Sequence, residues 1–309
     1  MKYALVNGVK QEPAPKLKGI CCNCGAITQS KCGTRKVWHW AHVTLQHCDS
    51  WWESETEWHR LWKGYFPYQN QEVIHFDNTT GEKHIADIKT DNGMVIEIQN
   101  SPMNEMEMFS REHFYGKLMW IINGEKFKNN FAILGKLPDP KSKLAQGIYF
   151  GGSTSNSLFG KQRKAKTNDE RAKPLDDRVS FFLKSDNPDY EALYEELLKS
   201  KNGLGVMVEL PSLEDKDRIL KEIQICYVGH HVFLWKNPRN VWFQSEKPVF
   251  IDFGGNELWR LMDYDSRGLK CIRRISKAAL IEKNGGCYVS GADVITTPSP
   301  ANKPDAPEL

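Results

Sequence analysis

The clearest alternation of polar and apolar positions runs from Lys83 to Ser101, where two β-rich segments flank Asp91-Asn92-Gly93. This pattern predicts a β-hairpin. A two-residue Asn-Gly loop would place Asp87 opposite Ile98 and would mix carboxylates with aliphatic side chains on both faces. A three-residue loop with Gly93 in a left-handed conformation places Asp87 opposite Glu97 instead. We predict the three-residue loop, because only that register collects the aliphatic side chains on one face that can be buried.

The polar face of this hairpin carries the candidate chemistry. Two carboxylates directly opposite each other, Asp87 and Glu97, repel unless a divalent cation or a proton relieves them. Mg²⁺ is bound through one or two carboxylates together with water and substrate phosphate. Gln99 points to the same side and can hold a water or a phosphate oxygen. The spacing therefore predicts a Mg²⁺- or Mn²⁺-dependent phosphodiester-cleaving site, with an ordinary solvent-facing hairpin as the alternative.

Two amphipathic helices are predicted beside the hairpin. The first opens at Ser50, where Glu53 completes a capping box, and it ends near Gly64. The second opens at Ser101, which is followed by proline, and it stops at Gly116.

Arg111 is the candidate site residue on the second predicted helix. Its guanidinium suits bidentate contact with a phosphate. Glu107 lies four residues earlier, so a surface salt bridge between the two is the alternative.

Several apolar runs predict the strands of a central sheet. Residues 71–76 are predicted as the strand before the hairpin, and 117–122 form a continuous apolar run typical of a strand buried on both faces. The runs at 228–235 and 248–253 are predicted to return to the same sheet, and a helix is predicted from residue 256. The fold class is therefore α/β, with a mixed sheet of four or more strands flanked by helices.

The cysteines predict a metal site near the start of the chain. Five of the eight cysteines lie between residues 21 and 48, beside histidines. Such clustering indicates metal binding rather than disulfides in a reducing compartment. Two thiolates and two imidazoles form the closed tetrahedral set of a structural Zn²⁺ site, and free thiols with packed histidines are the alternative. The predicted ligands are Cys21, Cys24, His39 and His42, with Cys32, His47 and Cys48 as substitutes for one of them.

Length and charge restrict the class of protein. The 309 residues suffice for one large or two ordinary domains, and the net charge of +3 permits nucleic-acid binding without requiring it. No run of 18 apolar residues and no signal-peptide pattern is present, which predicts a cytoplasmic protein without membrane contact. Six of the thirteen residues from 161 to 173 are basic, so this segment is either a DNA-contacting loop or a solvated linker.

Five segments are predicted along the chain. They are a zinc-finger-like module at 1–49, a nuclease core at 50–138, an insertion with the basic loop and helices at 139–227, strands and a helix completing the core at 228–291, and a Pro-rich disordered tail at 292–309.

Four stretches carry a resemblance to a known family. They are His39-Trp40-Ala41-His42, Glu55 through His59, Ile96 through Ser101, and Arg111 with Tyr115. Over about residues 20–125 the chain resembles the CoiA-like competence protein family, which is similar to the PD-(D/E)xK nucleases and carries a Glu-x-Gln version of their motif. One departure is Thr56, where the family pattern has serine, and threonine keeps the hydroxyl.

The resemblance implies roles for the polar residues. Asp87 and Glu97 would be metal ligands, and Gln99 would replace the usual lysine. Glu55 and His59 would belong to the site, with Glu55 holding a water or a second metal, whereas a surface ion pair is the alternative for these two residues. A zinc-finger-like N-terminal region is also implied.

The function expected from this resemblance is a Mg²⁺-dependent DNA nuclease with a restriction-endonuclease-like core. It would hydrolyse phosphodiester bonds in DNA uptake and recombination, or in defence against phage and other foreign DNA. Because glutamine cannot supply the positive charge of lysine, a zinc-containing DNA-binding protein that does not cut is an alternative. An adaptor whose C-terminal half recruits a protein partner is another. The oligomeric state is not predicted.

Overall fold

The structure is a computed structural model, and in it the chain forms two compact units. Unit 1 comprises Met1–Asn123, Arg239–Leu258 and the part from Ser276 onward, and unit 2 comprises Gly124–Pro238 and Trp259–Ile275. The predicted basic segment at 161–173 and the predicted tail at 292–309 lie outside the described residues. The structure describes residues 1–44, 48–51, 53–151, 180–183, 213–266 and 268–289.

Strands are the more frequent regular elements in the described part of the chain. The strands are β1 (Ala4–Val6), β2 (Val9–Gln11), β3 (Lys18–Ile20), β4 (Ile27–Lys31), β5 (His39–His42), β6 (Gln71–Phe76), β7 (Lys83–Lys89), β8 (Val95–Gln99), β9 (Leu118–Asn123), β10 (Phe131–Lys136), β11 (Ile148–Gly151), β12 (Ser180–Leu183), β13 (His230–Trp235), β14 (Val249–Asp252), β15 (Glu257–Asp263) and β16 (Lys270–Ser276). The helices are α1 (Glu57–Gly64), α2 (Glu105–Tyr115), α3 (Lys143–Gly147), α4 (Leu213–Ile225), α5 (Val241–Gln244) and α6 (Lys277–Lys283), and Tyr68–Asn70 and Glu125–Asn130 form 3₁₀ turns.

Unit 1 contains two sheets. The N-terminal sheet is antiparallel, with neighbouring strands in the order β2-β1-β3-β4-β5. In the second sheet the neighbours are β14-β9-β8-β7-β6. The β14–β9 and β9–β8 pairs are parallel, and the β8–β7 and β7–β6 pairs are antiparallel. The predicted mixed α/β sheet of four or more strands is confirmed.

The β7–β8 hairpin has the predicted register. Ile88 pairs with Ile96, which places Asp87 opposite Glu97. Gly93 closes the three-residue loop with a left-handed φ of 78°. On the apolar face Ala86, Ile88, Ile96 and Ile98 are all buried. On the polar face Val95, Glu97 and Gln99 are buried, and Ile85, Asp87 and Lys89 are partly buried. The hairpin therefore does not simply face solvent, and that alternative is wrong.

Strands β6, β9 and β14 agree with the sequence. β9 is buried at all six positions, as its continuous apolar run predicts, and β14 returns to pair with it in parallel. The run at 228–235 forms β13, which pairs with β10 and β16 in unit 2.

The segment from residue 256 was predicted to form a helix, and that prediction is wrong. In place of a helix it forms β15, whose Leu258 and Leu261 are buried, so packing in a sheet overrides the local helical signal. Unit 2 begins at Gly124. Residues 1–49 belong to unit 1, because side chains of Lys2 and Tyr3 hydrogen-bond to Gln71.

Both helices beside the hairpin begin later than predicted. Helix α1 is capped by Thr56, whose hydroxyl accepts the His59 N–H while the His59 ring accepts the Thr56 N–H. Glu53 does not cap Ser50, because its carboxylate accepts the Asn100 N–H at 3.3 Å.

Helix α2 begins at Glu105 and is capped by Asn104, whose side chain accepts the Glu107 N–H at 2.8 Å. The predicted start at Ser101 is wrong, whereas the predicted stop at Gly116 is confirmed by its φ of 64°. Within the described ranges, none of the helices has the length and apolar character needed to cross a membrane.

The hairpin loop generates a first test. A Cβ added at Gly93 or at Gly33 would meet open space, but only Gly93 has a left-handed φ. Gly93→Ala should therefore lower the free energy of unfolding by about 1 kcal/mol, while Gly33→Ala should change it little. Urea unfolding of both variants measures this, and equal effects would contradict the left-handed three-residue loop.

Candidate functional site

A cavity of about 410 Å³ lies within unit 1, between the N-terminal sheet and the polar face of the β7–β8 hairpin. Its lining is strongly acidic: six carboxylate side chains face one lysine and one arginine. Burying such an excess of negative charge is costly unless cations compensate it. The charged residues are Asp49, Glu53, Glu55, Glu72, Asp87 and Glu97, with Lys63 and Arg111.

Asp87 and Glu97 lie together at the floor of this cavity. The Asp87 N–H donates to Glu97 Oε1 at 3.3 Å, and the Ile98 N–H donates to Asp87 Oδ2 at 3.0 Å. Only 4% of Glu97 is exposed. The hairpin register thus brings the two predicted carboxylates together as expected.

Each of these carboxylates is paired with one basic side chain. Lys63 Nζ of α1 lies 3.0 Å from Asp87 Oδ1, and Arg111 Nη1 of α2 lies 3.0 Å from Glu97 Oε2. Arg111 Nη2 also donates to the Trp51 carbonyl at 2.7 Å and to Glu107 at 2.5 Å. The i,i+4 pair with Glu107 exists, but the guanidinium is turned inward to the predicted metal ligand.

Lys63 joins three carboxylates at one point. Besides Asp87, its Nζ lies 3.0 Å from Glu72 Oε1 and 3.5 Å from Glu55 Oε1. Although burial alone would lower the pKa of Lys63, these carboxylates raise it well above its ordinary value. Burial likewise opposes ionisation of Glu72, but Lys63 and the chain's N-terminal amine lower the pKa of Glu72 to about 2.

Glu55 and His59 both line the cavity, but not as predicted from a shared helical face. Glu55 precedes α1, and its Oε1 is buried without a hydrogen-bond partner. The His59 ring is used in the helix cap through Nδ1, and its Nε2 lies 3.7 Å from Glu53 Oε2. Glu55 and His59 do not form the surface ion pair that was the alternative, since their ion-pair partners are Lys63 and Glu53.

Gln99 also lines the cavity, but its amide is already engaged. Its Nε2 donates to both the carbonyl and the hydroxyl of Ser101, at 3.2 Å each. The predicted residue is therefore present at the site, and its amide N–H groups are directed to Ser101.

A cluster of one histidine and three cysteines forms next to this cavity. The ligand atoms of Cys21, Cys24, His42 and Cys48 all lie within 4.8 Å of one another. The Cys21–Cys48 sulfurs are 3.5 Å apart, and Cys24 Sγ lies 3.3 Å from His42 Nε2. These separations approach the edge of roughly 3.8 Å expected for a tetrahedron with Zn–S bonds of about 2.3 Å. The cluster could therefore hold a metal ion such as zinc, and His42 and Cys48 also line the cavity.

His39 is not part of this cluster, and Cys48 stands in its place. His39 and His42 lie at opposite ends of strand β5, where a separation of three residues corresponds to roughly 10 Å and to opposite faces. The His39 ring hydrogen-bonds with the Val37 carbonyl at 2.8 Å. The histidine pair suits a helix, so the predicted ligand His39 is wrong because the segment is a strand.

Sequence reasoning missed Lys63, Glu72 and Asp49. Lys63 had a readable signal, because it lies four residues after the buried His59 on the inward face of an amphipathic helix. Glu72 and Asp49 gave none. Asp49 lies outside regular structure, yet it accepts the Ile85 N–H at 2.9 Å and pairs with His84 at 2.8 Å.

Comparison of the chain with family models, curated proteins and solved structures finds no match.

The metal cluster generates a second test. The purified protein should contain one zinc per chain by elemental analysis, and Cys24→Ser should lose the metal and destabilise the N-terminal sheet, because metal binding contributes folding free energy. Cys22→Ser and His39→Ala should both retain the zinc, since neither residue belongs to the cluster. Zinc well below one per chain in the unmodified protein would contradict the assignment.

The buried carboxylate pair generates a third test. Burial and Asp87 raise the pKa of Glu97 to about 7 from an ordinary 4.5. Folded protein therefore holds a proton that the unfolded chain has lost, so stability falls as pH rises from about 4.5 to 7. In magnesium-free buffer Glu97→Gln should remove this loss and be the more stable protein at pH 8, but not at pH 4.

The measurement is urea unfolding across that pH range. Glu107→Gln is the matched control, because Glu107 contacts the same arginine but is 30% exposed. If wild type and Glu97→Gln have the same pH dependence, the raised pKa is wrong.

Proposed function

We propose that the protein is a metal-dependent DNA nuclease whose site is the Asp87–Glu97 pair. The observation that carries the proposal is the placement of these carboxylates opposite each other, Glu97 buried and Asp87 partly exposed, in a cavity with six carboxylates and two basic side chains. A site of this composition favours a divalent cation, and Mg²⁺ and Mn²⁺ prefer carboxylate oxygens. The buried Oε1 of Glu55, which accepts no hydrogen bond and has only the Lys63 ammonium at 3.5 Å, supports the same conclusion.

Asp87 and Glu97 would hold the cation, together with the Ile98 carbonyl. When bound, the metal polarises the phosphodiester and lowers the pKa of the attacking water. Gln99 would orient that water or a phosphate oxygen after leaving Ser101. Arg111 would position Glu97, because its guanidinium is held between that carboxylate, Glu107 and the Trp51 carbonyl.

The resemblance to the CoiA-like family supports DNA as the substrate, in uptake and recombination or in defence against foreign DNA. The mixed sheet, with its hairpin followed by α2 and the parallel strand β9, supports a restriction-endonuclease-like core. The adjacent cluster, holding zinc, would stabilise the N-terminal sheet that walls the cavity. We place this activity in the cytoplasm.

A second function is favoured by one specific observation. Lys63 and Arg111 already neutralise Asp87 and Glu97 in the structure, so the pair is compensated without a metal. This arrangement favours a zinc-containing DNA-binding protein or adaptor that does not cut, because such a protein requires no metal at the hairpin carboxylates.

The proposal predicts metal-dependent cleavage of DNA that depends on the hairpin carboxylates. Glu97→Ala and Asp87→Asn should each lower the rate by roughly 100-fold or more, because each removes a ligand. Gln99→Ala should lose rate while still binding the metal. Cleavage of plasmid and single-stranded DNA with Mg²⁺ or Mn²⁺ measures this.

The control is Glu57→Ala, which removes an exposed carboxylate of α1 and should leave the rate unchanged. Cleavage that survives Glu97→Ala would refute this site, and the absence of cleavage of any DNA would favour the non-catalytic function.

A further inference from the structure

The strand position two residues after Glu97 supplies no positive charge. It is occupied by Gln99, whose neutral amide donates to Ser101. Phosphodiester hydrolysis builds negative charge on the phosphoryl oxygens and the leaving oxygen, and preorganised positive groups stabilise that charge. The source of such a group must therefore be sought elsewhere in the cavity.

Lys63 places an ammonium at the required location. It lines the same cavity, and its Nζ lies 3.0 Å from the Asp87 carboxylate although it comes from helix α1 and not from the hairpin. Only 5% of its side chain is exposed. A cation bound by Asp87 would have this ammonium as its immediate neighbour.

The surroundings of Lys63 hold its amine at a defined position. Glu72 approaches it at 3.0 Å, and this carboxylate is itself fixed by the backbone N–H groups of Lys2 and Tyr3 at 2.7 and 3.1 Å. Glu55 approaches from 3.5 Å with the oxygen that has no hydrogen bond. Three acidic groups from different elements thus converge on one amine, which is more than a single ion pair requires.

Arg111 is less suited to this role. Its two terminal nitrogens are bonded to Glu97, to Glu107 and to the Trp51 carbonyl. These contacts fix it as the positioning residue of Glu97.

We propose that Lys63 is the cationic residue of this site, supplied by helix α1 where the strand carries Gln99. This inference rests on the proposed nuclease function.

In the reaction, the oxygen of one water forms a bond to phosphorus and the bond from phosphorus to the leaving deoxyribose oxygen breaks. One proton of the water ends on the leaving oxygen, and the other ends on the new phosphate monoester or in solvent. Lys63 remains protonated throughout and stabilises the negative charge on the phosphoryl oxygen.

The test exchanges the positive charge between the two positions. The variants are Lys63→Gln, Lys63→Arg and the double variant Lys63→Gln/Gln99→Lys, assayed for kcat and KM with Mg²⁺ and labelled DNA. We expect Lys63→Gln to lower kcat roughly 100-fold with KM within about threefold of wild type. Lys63→Arg should have a higher kcat than Lys63→Gln. The double variant should have a kcat at least about tenfold above that of Lys63→Gln.

The matched control is Lys277→Gln. Lys277 is an equally buried lysine of unit 1 that pairs with Asp252 at 3.0 Å, outside the cavity. Its replacement should lower stability without lowering kcat. A purely structural role for Lys63 predicts that both lysine variants behave alike and that moving the charge to position 99 restores nothing.

The outcomes separate the two proposals. Cleavage by wild type with kcat unchanged in Lys63→Gln, or a folded double variant no faster than Lys63→Gln, would overturn the role of Lys63 alone. No cleavage by wild type would overturn the nuclease function itself. If Lys63→Gln does not fold, Lys63→Gln/Glu72→Gln removes one of the carboxylates left unpaired, and the same comparison of kcat applies to that background.

Discussion

The placement of two carboxylates opposite each other, with Glu97 fully inside, is the constraint on which unit 1 depends. Carboxylates held this close repel each other unless positive charge lies beside them. Lys63 and Arg111 provide that charge from helices on either side of the hairpin in the chain. The ion pairs therefore fix α1 and α2 against the Asp87 and Glu97 carboxylates, which are also the proposed metal ligands.

The N-terminal sheet is the second element that this arrangement requires. Its first residues donate to Glu72, which holds Lys63, and Asp49 reaches the β7 strand through the Ile85 N–H. The sheet thus forms a wall of the cavity and not a separate module. Because His42 and Cys48 belong to both the metal cluster and this wall, loss of metal is expected to disturb the cavity as well as the sheet.

Sequence patterns were sufficient where burial follows a simple period. Alternation around Gly93 determined the hairpin register, and the continuous apolar run at 117–122 identified β9 as a doubly buried strand. The predicted helix starts were wrong because the capping side chains have other partners. Glu53 accepts the Asn100 N–H, and the Ser101 hydroxyl accepts from the Gln99 amide. The prediction of His39 as a zinc ligand was wrong because the spacing of the two histidines suits a helix, whereas this segment is a strand. Contacts between distant segments, such as Glu72 with Lys2, leave no local pattern.

The central claim is that Asp87 and Glu97 bind a divalent cation. The most direct measurement is anomalous scattering from crystals grown with zinc and soaked in Mn²⁺, collected above and below the manganese absorption edge. The account predicts a manganese peak between the two carboxylates, with Lys63 remaining beside Asp87, and a separate zinc peak at Cys21, Cys24, His42 and Cys48 as an internal control. A zinc peak without manganese at the hairpin would contradict it.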